Sequence, residues 1–575
     1  MKSANQLLVL FCALTIISCN TSVKESVSAD KADAIYFGGD IITMEGDSAT
    51  YAEAVAVRDG KIVYVGMKAD AEKMKGDSTV MNDLQGKTLL PGFIDPHSHF
   101  MFSLAMTTQA NCFAPPVGPA KDPDGIVSAL KELKAKKNIP SGELIVGYGY
   151  DENQMPNGRL LNRDDLDKVS TEHPVMVIHV SGHGCVLNTA GLKKFGISAN
   201  TITPAGGIIV RKPGTNEPYE LIMETAYLPV FSNLPHPKPE ELMQQLRDGQ
   251  KFYAEAGVTT AQEGSTHKAD VGLLIDAAKQ NNLFIDVVSY PFILEAQSIL
   301  KDYPFAQYSS YSNHFKLGGV KIVADGSPQG KTAFFTTPFL TGGPSGEKNW
   351  KGEPTFPQDS MNAWLTWLYK EKIQVNIHAN GDAAMDMLIV AHEYACKELN
   401  QPLDADRRTT IIHSQFVRKD QLEKYKAYNI IPSFFTEHTF YFGDTHIQNR
   451  GIEQASFLSP LNSAYKMGIR ATNHTDFNVL PIDQMMVIWS AVNRITRTGV
   501  LLGADERVTP YQALQAITIH AAHQYFEENN KGSITKGKMA DLVILDQNPL
   551  KVDPMKIKDI TVTETIKGGK SIYKK

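Results

Sequence analysis

The sequence predicts an α/β protein: a (β/α)8 barrel joined to a small β-sandwich built from both ends of the chain. Three observations carry this expectation. Short β-branched runs alternate with helix-like stretches over residues 91–529, as in a parallel sheet with crossover helices. That stretch is long enough for a barrel, and no G-x-G-x-x-G or G-x-x-x-x-G-K-[ST] follows a strand to favour an open nucleotide-binding sheet. Runs rich in β-formers and punctuated by turns flank it on both sides.

Taken in order, residues 1–18 read as an export signal. Lys2 precedes an apolar run from Leu7 to Ile17, too short to span a bilayer as a helix. "IISC" (Ile16 to Cys19) resembles the lipobox of bacterial lipoproteins, which implies lipidation of Cys19; an ordinary signal peptide with an accidental cysteine is the alternative. The polar stretch Thr21 to Asp33 has no apolar periodicity, so residues 19–33 read as anchor and linker. The expectation is an exported protein, lipid-anchored to the cell envelope on its periplasmic or outer-membrane face, touching membrane through the anchor only.

Residues 34–90 and 530–575 are expected to form the composite β-sandwich. Asp59-Gly60 between two alternating runs signals a tight hairpin. Residues 91–529 are assigned to the barrel, with an insertion around 112–235. Candidate strands in this region are "ELIVGYGY", "VMVIHVSG", "GVTTAQEG", "FIDVVSYPF", "GGVKIVADG", "IQVNIHANGD", "TTIIHSQF", "NIIPSFF" and "IRATNHTD". "PEELMQQLRDGQKFYAEAG" and "DAAMDMLIVAHEYACKEL" carry helical spacing. Cys112, Cys185 and Cys396 are too scattered for a disulfide framework and read as small core residues.

Composition narrows the partners. With 42% hydrophobic and 21% charged residues and a mean hydropathy of -0.23, the 575-residue chain is not disordered by default. A net charge of -6 and a pI near 6.3 give no electrostatic reason to expect nucleic acid, so a small-molecule partner fits better.

Position is the informative feature of the polar residues. In "LLPGFIDPHSHF", His97 and His99 sit one residue apart, and in a strand they would share one side, roughly 7 Å apart at the backbone. His378, His413 and Asp476 likewise end apolar runs, and Lys321 lies inside "GGVKIVADG". In a (β/α)8 barrel all strand ends face one mouth, so these residues can converge there. Imidazole and carboxylate suit Zn²⁺ or a similar divalent ion, and no cysteine cluster points to a structural zinc site. Each residue also has a plainer reading. A histidine can bond to backbone at a strand end, Lys321 can sit in a buried ion pair, and Asp476 can cap a helix. His179 after "VMVI" is an equal candidate on spacing alone.

The ordered segments "LLPGFIDPHSHF", "SGHGCVLNTAGLKKFGI", "GVTTAQEG", "GGVKIVADGSPQGKTAFFTTPF", "NIHANGDAAMD", "TIIHSQF", "VNRITRTGVLLGADERVTPYQALQAIT" and "GSITKGKMADLVILDQNP" choose between these readings. Together they resemble amidohydrolase family 3 of the amidohydrolase superfamily, the branch that includes N-substituted formamide deformylases. The resemblance covers nearly the whole mature chain. It implies a divalent metal site, zinc or a similar ion, one or two per chain, with His97, His99, His378, His413 and Asp476 as ligands. Lys321 occupies the position that related enzymes carboxylate to bridge two metals, and Glu263 is a fallback oxygen ligand or a turn residue. By the same resemblance Asp476 shuttles a proton and His183 faces the substrate. Departures lie in "TNHTDFNV", where His474 is a candidate contact to substrate or to a ligand, and in "GYGYDENQM", with Tyr150 and Met155. Both bear on the substrate more than on the reaction. Aromatic runs "SFFTEHTFYF" and "TAFFTTPF" line either a pocket or the core.

The expected function is an exported metal-dependent amidohydrolase that cleaves a C–N bond of an amide, N-formyl or N-acyl amine, or cyclic amide with activated water. The rivals are a binding lipoprotein that has lost catalysis and a deaminase or isomerase on the same scaffold.

Overall fold

Nine short parallel segments make up eight successive strand positions in the computed structural model. It describes residues 31–575 other than 116, 153–154, 157–158, 181–183, 205–206, 235–237 and 344–346. Cys19 and His183 therefore lie outside the described residues. Four segments pair in the order Phe315–Leu317, Asp286–Pro291, Val258–Thr266, Phe93–Ile94. Five more pair in the order Val320–Val323, Val375–Ala379, Thr410–His413, Ile431–Phe434, Thr472–Asn473. The two sheets share the fourth position, which Gly318 and Gly319 interrupt. A Cβ on Gly319 would lie 2.2 Å from the Gln374 carbonyl oxygen, so only glycine lets the chain pass so close to its neighbour. At the opposite seam the chain beyond Asn473 hydrogen-bonds back to the first strand. Asp476 N–H donates to the His97 carbonyl at 3.2 Å, and His99 N–H donates to that of Phe477.

Helices cover the outside of this ring. Lys268–Lys279 buries Val271, Leu274, Ile275 and Ala278, the i, i+3, i+4, i+7 stripe of an amphipathic helix. Pro239–Glu255 begins with proline in the first turn, where its missing N–H costs nothing, and Asp382–Glu398 follows the fifth strand. Both match the periodic segments of the sequence. No helix among the described residues is long and apolar enough to cross a membrane.

Both ends of the chain build one eight-stranded sheet. Leu542–Leu545 runs antiparallel to Thr88–Pro91, which pairs with Ala34–Ile42. The Asp59-Gly60 hairpin joins Tyr51–Arg58 to Lys61–Gly66, and both turn residues have positive φ, at 50° and 74°. The sheet curls until its edge strand Lys61–Gly66 meets the segment that leads into Leu542–Leu545: Ile62 N–H donates to Lys538 O at 2.9 Å and Ala540 N–H to Gly60 O at 2.8 Å. Val55 and Val57 thereby share one core with Leu542 and Ile566.

Two candidate strands belong elsewhere. "ELIVGYGY" and "VMVIHVSG" supply Ile145–Tyr150 and Val175–His179 to a separate six-stranded sheet formed by residues 110–224. They read like barrel strands because they pair in parallel and are nearly fully buried, but their partners include the antiparallel Gly184–Leu187. Cys112, Cys185 and Cys396 are free and buried.

A buried charge network ties the barrel to the terminal sheet. Asp286, first residue of the third strand, receives Lys531, Lys567 at 2.6 Å and His314 at 2.7 Å. Lys567 also bonds Asp541 at 2.7 Å, and Glu527 receives Lys316 and, at 2.8 Å, Lys531. Burial alone would raise the Asp286 pKa, but Lys531 and Lys567 override it and hold the carboxyl well below the ordinary range. Replacing Asp286 with Ala strands buried ammonium groups and is expected to cost about 3–5 kcal/mol in denaturant unfolding at neutral pH. A depressed folded-state pKa means that this stabilisation is complete above the unfolded pKa and fades as pH falls towards the folded one. The gap between parent and variant should therefore narrow in acid; a gap of under about 1 kcal/mol at pH 7 would show the network to be dispensable.

Candidate metal centre

Six side chains named from the sequence meet at the C-terminal ends of the strands. Parallel pairing sets their level: Val323 lies opposite His378, and Ala379 opposite His413. With a side-chain period of two, Lys321 shares a face with Val323 one pleat below. His413 and Asp476 leave the extended conformation with φ of 71° and 51°, which turns their side chains into the mouth. Such backbone costs about 1–3 kcal/mol each and persists where the surroundings hold it.

Asp476 is the hub. Its Oδ1 lies 3.3 Å from His97 Nε2 and 3.6 Å from His99 Nε2, and its Oδ2 4.0 Å from His413 Nε2. His413 Nε2 is 3.0 Å from His378 Nδ1, and Lys321 Nζ is 3.0 Å from His97 Nε2. One ligand atom each from His97, His413 and Asp476 falls within 4.8 Å of the others. Donors that share an ion about 2.0–2.2 Å away stand roughly 3–3.6 Å apart. The 3.3 Å and 4.0 Å separations of His97 and His413 from Asp476 bracket the upper part of that range, so the set suits a divalent cation in chemistry and needs only a small contraction in spacing.

The electrostatics fit as well. Burial drives the pKa of His97 and His413 well below the ordinary imidazole value, and Lys321 adds to this. His378 is pushed down to about 4, again mainly by burial. The rings are therefore neutral, the form that ligates a metal. Burial raises Asp476, against the pull of His99, Lys321 and His378. Burial also brings the Lys321 ammonium down to about 7, with Asp476 and Glu263 opposing.

A surrounding layer fixes ring orientation. The Gln262 amide nitrogen donates to Pro96 O at 2.8 Å and to Tyr525 Oη at 2.9 Å, so its oxygen must face His97 Nδ1, 2.6 Å away. His97 then carries its proton on Nδ1 and offers the Nε2 lone pair to the centre. His474 bonds His413 Nδ1 at 3.1 Å and Ser433 Oγ at 2.9 Å, so it orients a ligand from behind. Asp95 accepts from Thr475, next to Asp476, and burial lifts its pKa to about 7. Asp325 accepts from the backbone of Phe334, Asn380 and Gly381 at 2.8–3.0 Å and stands 3.5 Å from His378 Nε2. Sequence reasoning missed Gln262, Asp95, Asp325 and Ser433. Asp95 lay inside the His97 segment and Gln262 beside Glu263, but a polar residue that bonds a ligand carries no spacing signal of its own.

Other candidates fall outside the cluster. Glu263 is buried and accepts Met101 N–H at 2.6 Å, and burial raises its pKa well above the ordinary carboxyl value. His179 lies in the inserted sheet, 2.5 Å from Glu152. Tyr150 and Met155 are core residues of that insertion, and Tyr150 Oη accepts Leu161 N–H at 3.1 Å. Phe335, Phe339, Phe434 and Phe435 are core residues too.

A barrel whose mouth gathers neutral imidazoles around a shared carboxylate is the architecture of a metal-dependent hydrolase. The chain belongs to the amidohydrolase family, whose model matches residues 81–573. It is 29% identical over 560 residues to Protein LONG AFTER FAR-RED 3 of Arabidopsis thaliana, covering 94% of this chain and 92% of that one. It is 24% identical over 538 residues to the N-substituted formamide deformylase of Arthrobacter pascens, covering 91% and 95%. The solved structure of an uncharacterized metal-dependent hydrolase from Pyrococcus furiosus superposes with a TM-score of 0.70 at 21% identity, over 90% of this chain and 100% of that one. The protein is accordingly a hydrolase acting on carbon–nitrogen bonds, of a family that implies a divalent metal. Elemental analysis of protein purified from metal-replete medium should find bound divalent metal, and His97→Ala and His413→Ala should lose most of it without unfolding. Unchanged metal content in both variants would rule out this donor set.

Proposed function

We propose that the protein hydrolyses an N-formyl or N-acyl amine, or a cyclic amide, at a two-ion zinc centre. The observation that carries this is the division of donors about Asp476, with His97, His99 and Lys321 on one side and His378 and His413 on the other. A divalent cation bound by such donors acidifies water and polarises a carbonyl. Asp476 takes the proton of the attacking water on a carboxylate oxygen and returns it to the leaving nitrogen. Gln262 and His474 keep the His97 and His413 rings in place while this happens. His183 is assigned, from the family resemblance alone, as donor to the developing oxyanion.

Lys321 is proposed to be carboxylated. A pKa near 7 leaves much of its amine neutral, and a neutral amine adds to carbon dioxide, releasing one proton and leaving an anionic carbamate with two oxygens. That converts a would-be cation beside His97 into a ligand. The match to a deformylase over nearly full length supports the amide class of substrate. Residues 1–33 support export with a lipid on Cys19. A Cys19→Ala chain released from the membrane fraction would agree with that assignment, and one that stays bound would oppose it.

Asp476→Asn should lower kcat by roughly 10²–10⁴-fold on whichever member of a panel of formamides, acylamines and cyclic ureides is turned over, with thermal unfolding unchanged. Near-parental turnover would remove Asp476 from the chemistry. Protein equilibrated with ¹³C-bicarbonate should show a carbamate carbon resonance that Lys321→Arg abolishes; its absence from the parent protein would leave Lys321 an amine.

A further inference from the structure

A cavity of about 980 Å³ opens at the end of the barrel opposite the metal centre. Its wall includes Asp286, which begins the third strand, and Gln374 and Arg407, which precede the fifth and sixth. The histidines lie at the other ends of those strands, so an occupant here is separated from them by the barrel interior. The size is that of a small-molecule site, and the lining is mostly apolar: Phe305, Tyr311, Leu317, Tyr369, Ile373 and Phe526.

Its charges are not all spent. Lys316, Lys531 and Lys567 are balanced by Asp286, Glu527 and Asp541 in the network above. Asp406 turns to Arg408 at 3.4 Å. Arg407 has no carboxylate within ion-pair distance among the described residues. Its Nη2 donates to Gln401 Oε1 at 2.9 Å and Pro402 O at 3.0 Å, while its Nη1 is buried without a hydrogen-bond partner. The guanidinium lies over the Tyr369 ring, 4.7 Å from its centroid. Lys372 stands exposed in the same wall. A planar donor fork held on an aromatic face in the cavity wall, without an acidic partner among the described residues and with Lys372 beside it, suits a carboxylate.

We propose that this cavity is a second ligand site, for a small carboxylate with an apolar body. The carboxylate would pair with Arg407 and Lys372, and the alkyl chain or ring would lie against Phe305, Tyr369 and Phe526. The site is independent of the catalytic assignment.

Octanoate, titrated into the full chain by isothermal calorimetry, is the probe. One saturable site per chain is expected, retained in Asp476→Asn, with octan-1-ol at least tenfold weaker. Arg407→Gln should weaken octanoate at least tenfold, and Ser310→Trp, a bulky change in the exposed part of the wall, should do the same by occlusion. Should Arg407→Gln fail to fold, Ser310→Trp and the octan-1-ol comparison decide. No octanoate binding, equal binding of octan-1-ol, unchanged affinity in both wall variants, or loss of binding in Asp476→Asn would each overturn the proposal.

Discussion

One backbone hydrogen bond, from Asp476 N–H to the His97 carbonyl, places the chemistry of this protein. The two residues are 379 positions apart, and each follows a short strand with little pairing of its own: Phe93–Ile94 and Thr472–Asn473. Where these strands run out, the chain goes on bonding across the seam. Thr475 reaches Asp95, Asp476 reaches His97, and Phe477 receives His99. The carboxylate is thereby set between histidines that arrive on other strands. Its left-handed backbone is the cost of pointing both oxygens inward.

Around that hub, low dielectric does two things at once. It disfavours the protonated form of the histidines, leaving lone pairs to face the centre, and it brings the Lys321 ammonium down to about 7. Neither state would be stable without partners that fix orientation. Gln262 can present only its oxygen to His97 because Pro96 and Tyr525 claim its nitrogen. Tyr525 in turn donates to the Asp95 carbonyl, so the first histidine segment and the C-terminal helical region brace each other.

Much of this was legible in the chain. His378 and His413 at the ends of their strands, and Asp476 just past the end of Thr472–Asn473, show in the sequence because a barrel sends every strand end to one mouth. The Asp59-Gly60 hairpin was equally plain, since its turn needs two residues that tolerate positive φ. The insertion was harder. Val175–His179 has the same buried, β-branched character as a barrel strand, and only its partners, set by long-range pairing, assign it to another sheet. Orienting residues such as Gln262 and Ser433 were invisible for a related reason. Amides and hydroxyls occur throughout any strand, and the pairing of the fold alone decides which of them back a ligand.

The central claim is that His97, His99, His378 and His413 gather with Asp476 about divalent metal. X-ray absorption at the zinc edge of the zinc-loaded protein tests it most directly. The account predicts a first shell of nitrogen and oxygen at about 2.0–2.2 Å with the outer scattering of several imidazoles. A sulfur shell near 2.3 Å, or a spectrum without imidazole scattering, would contradict it.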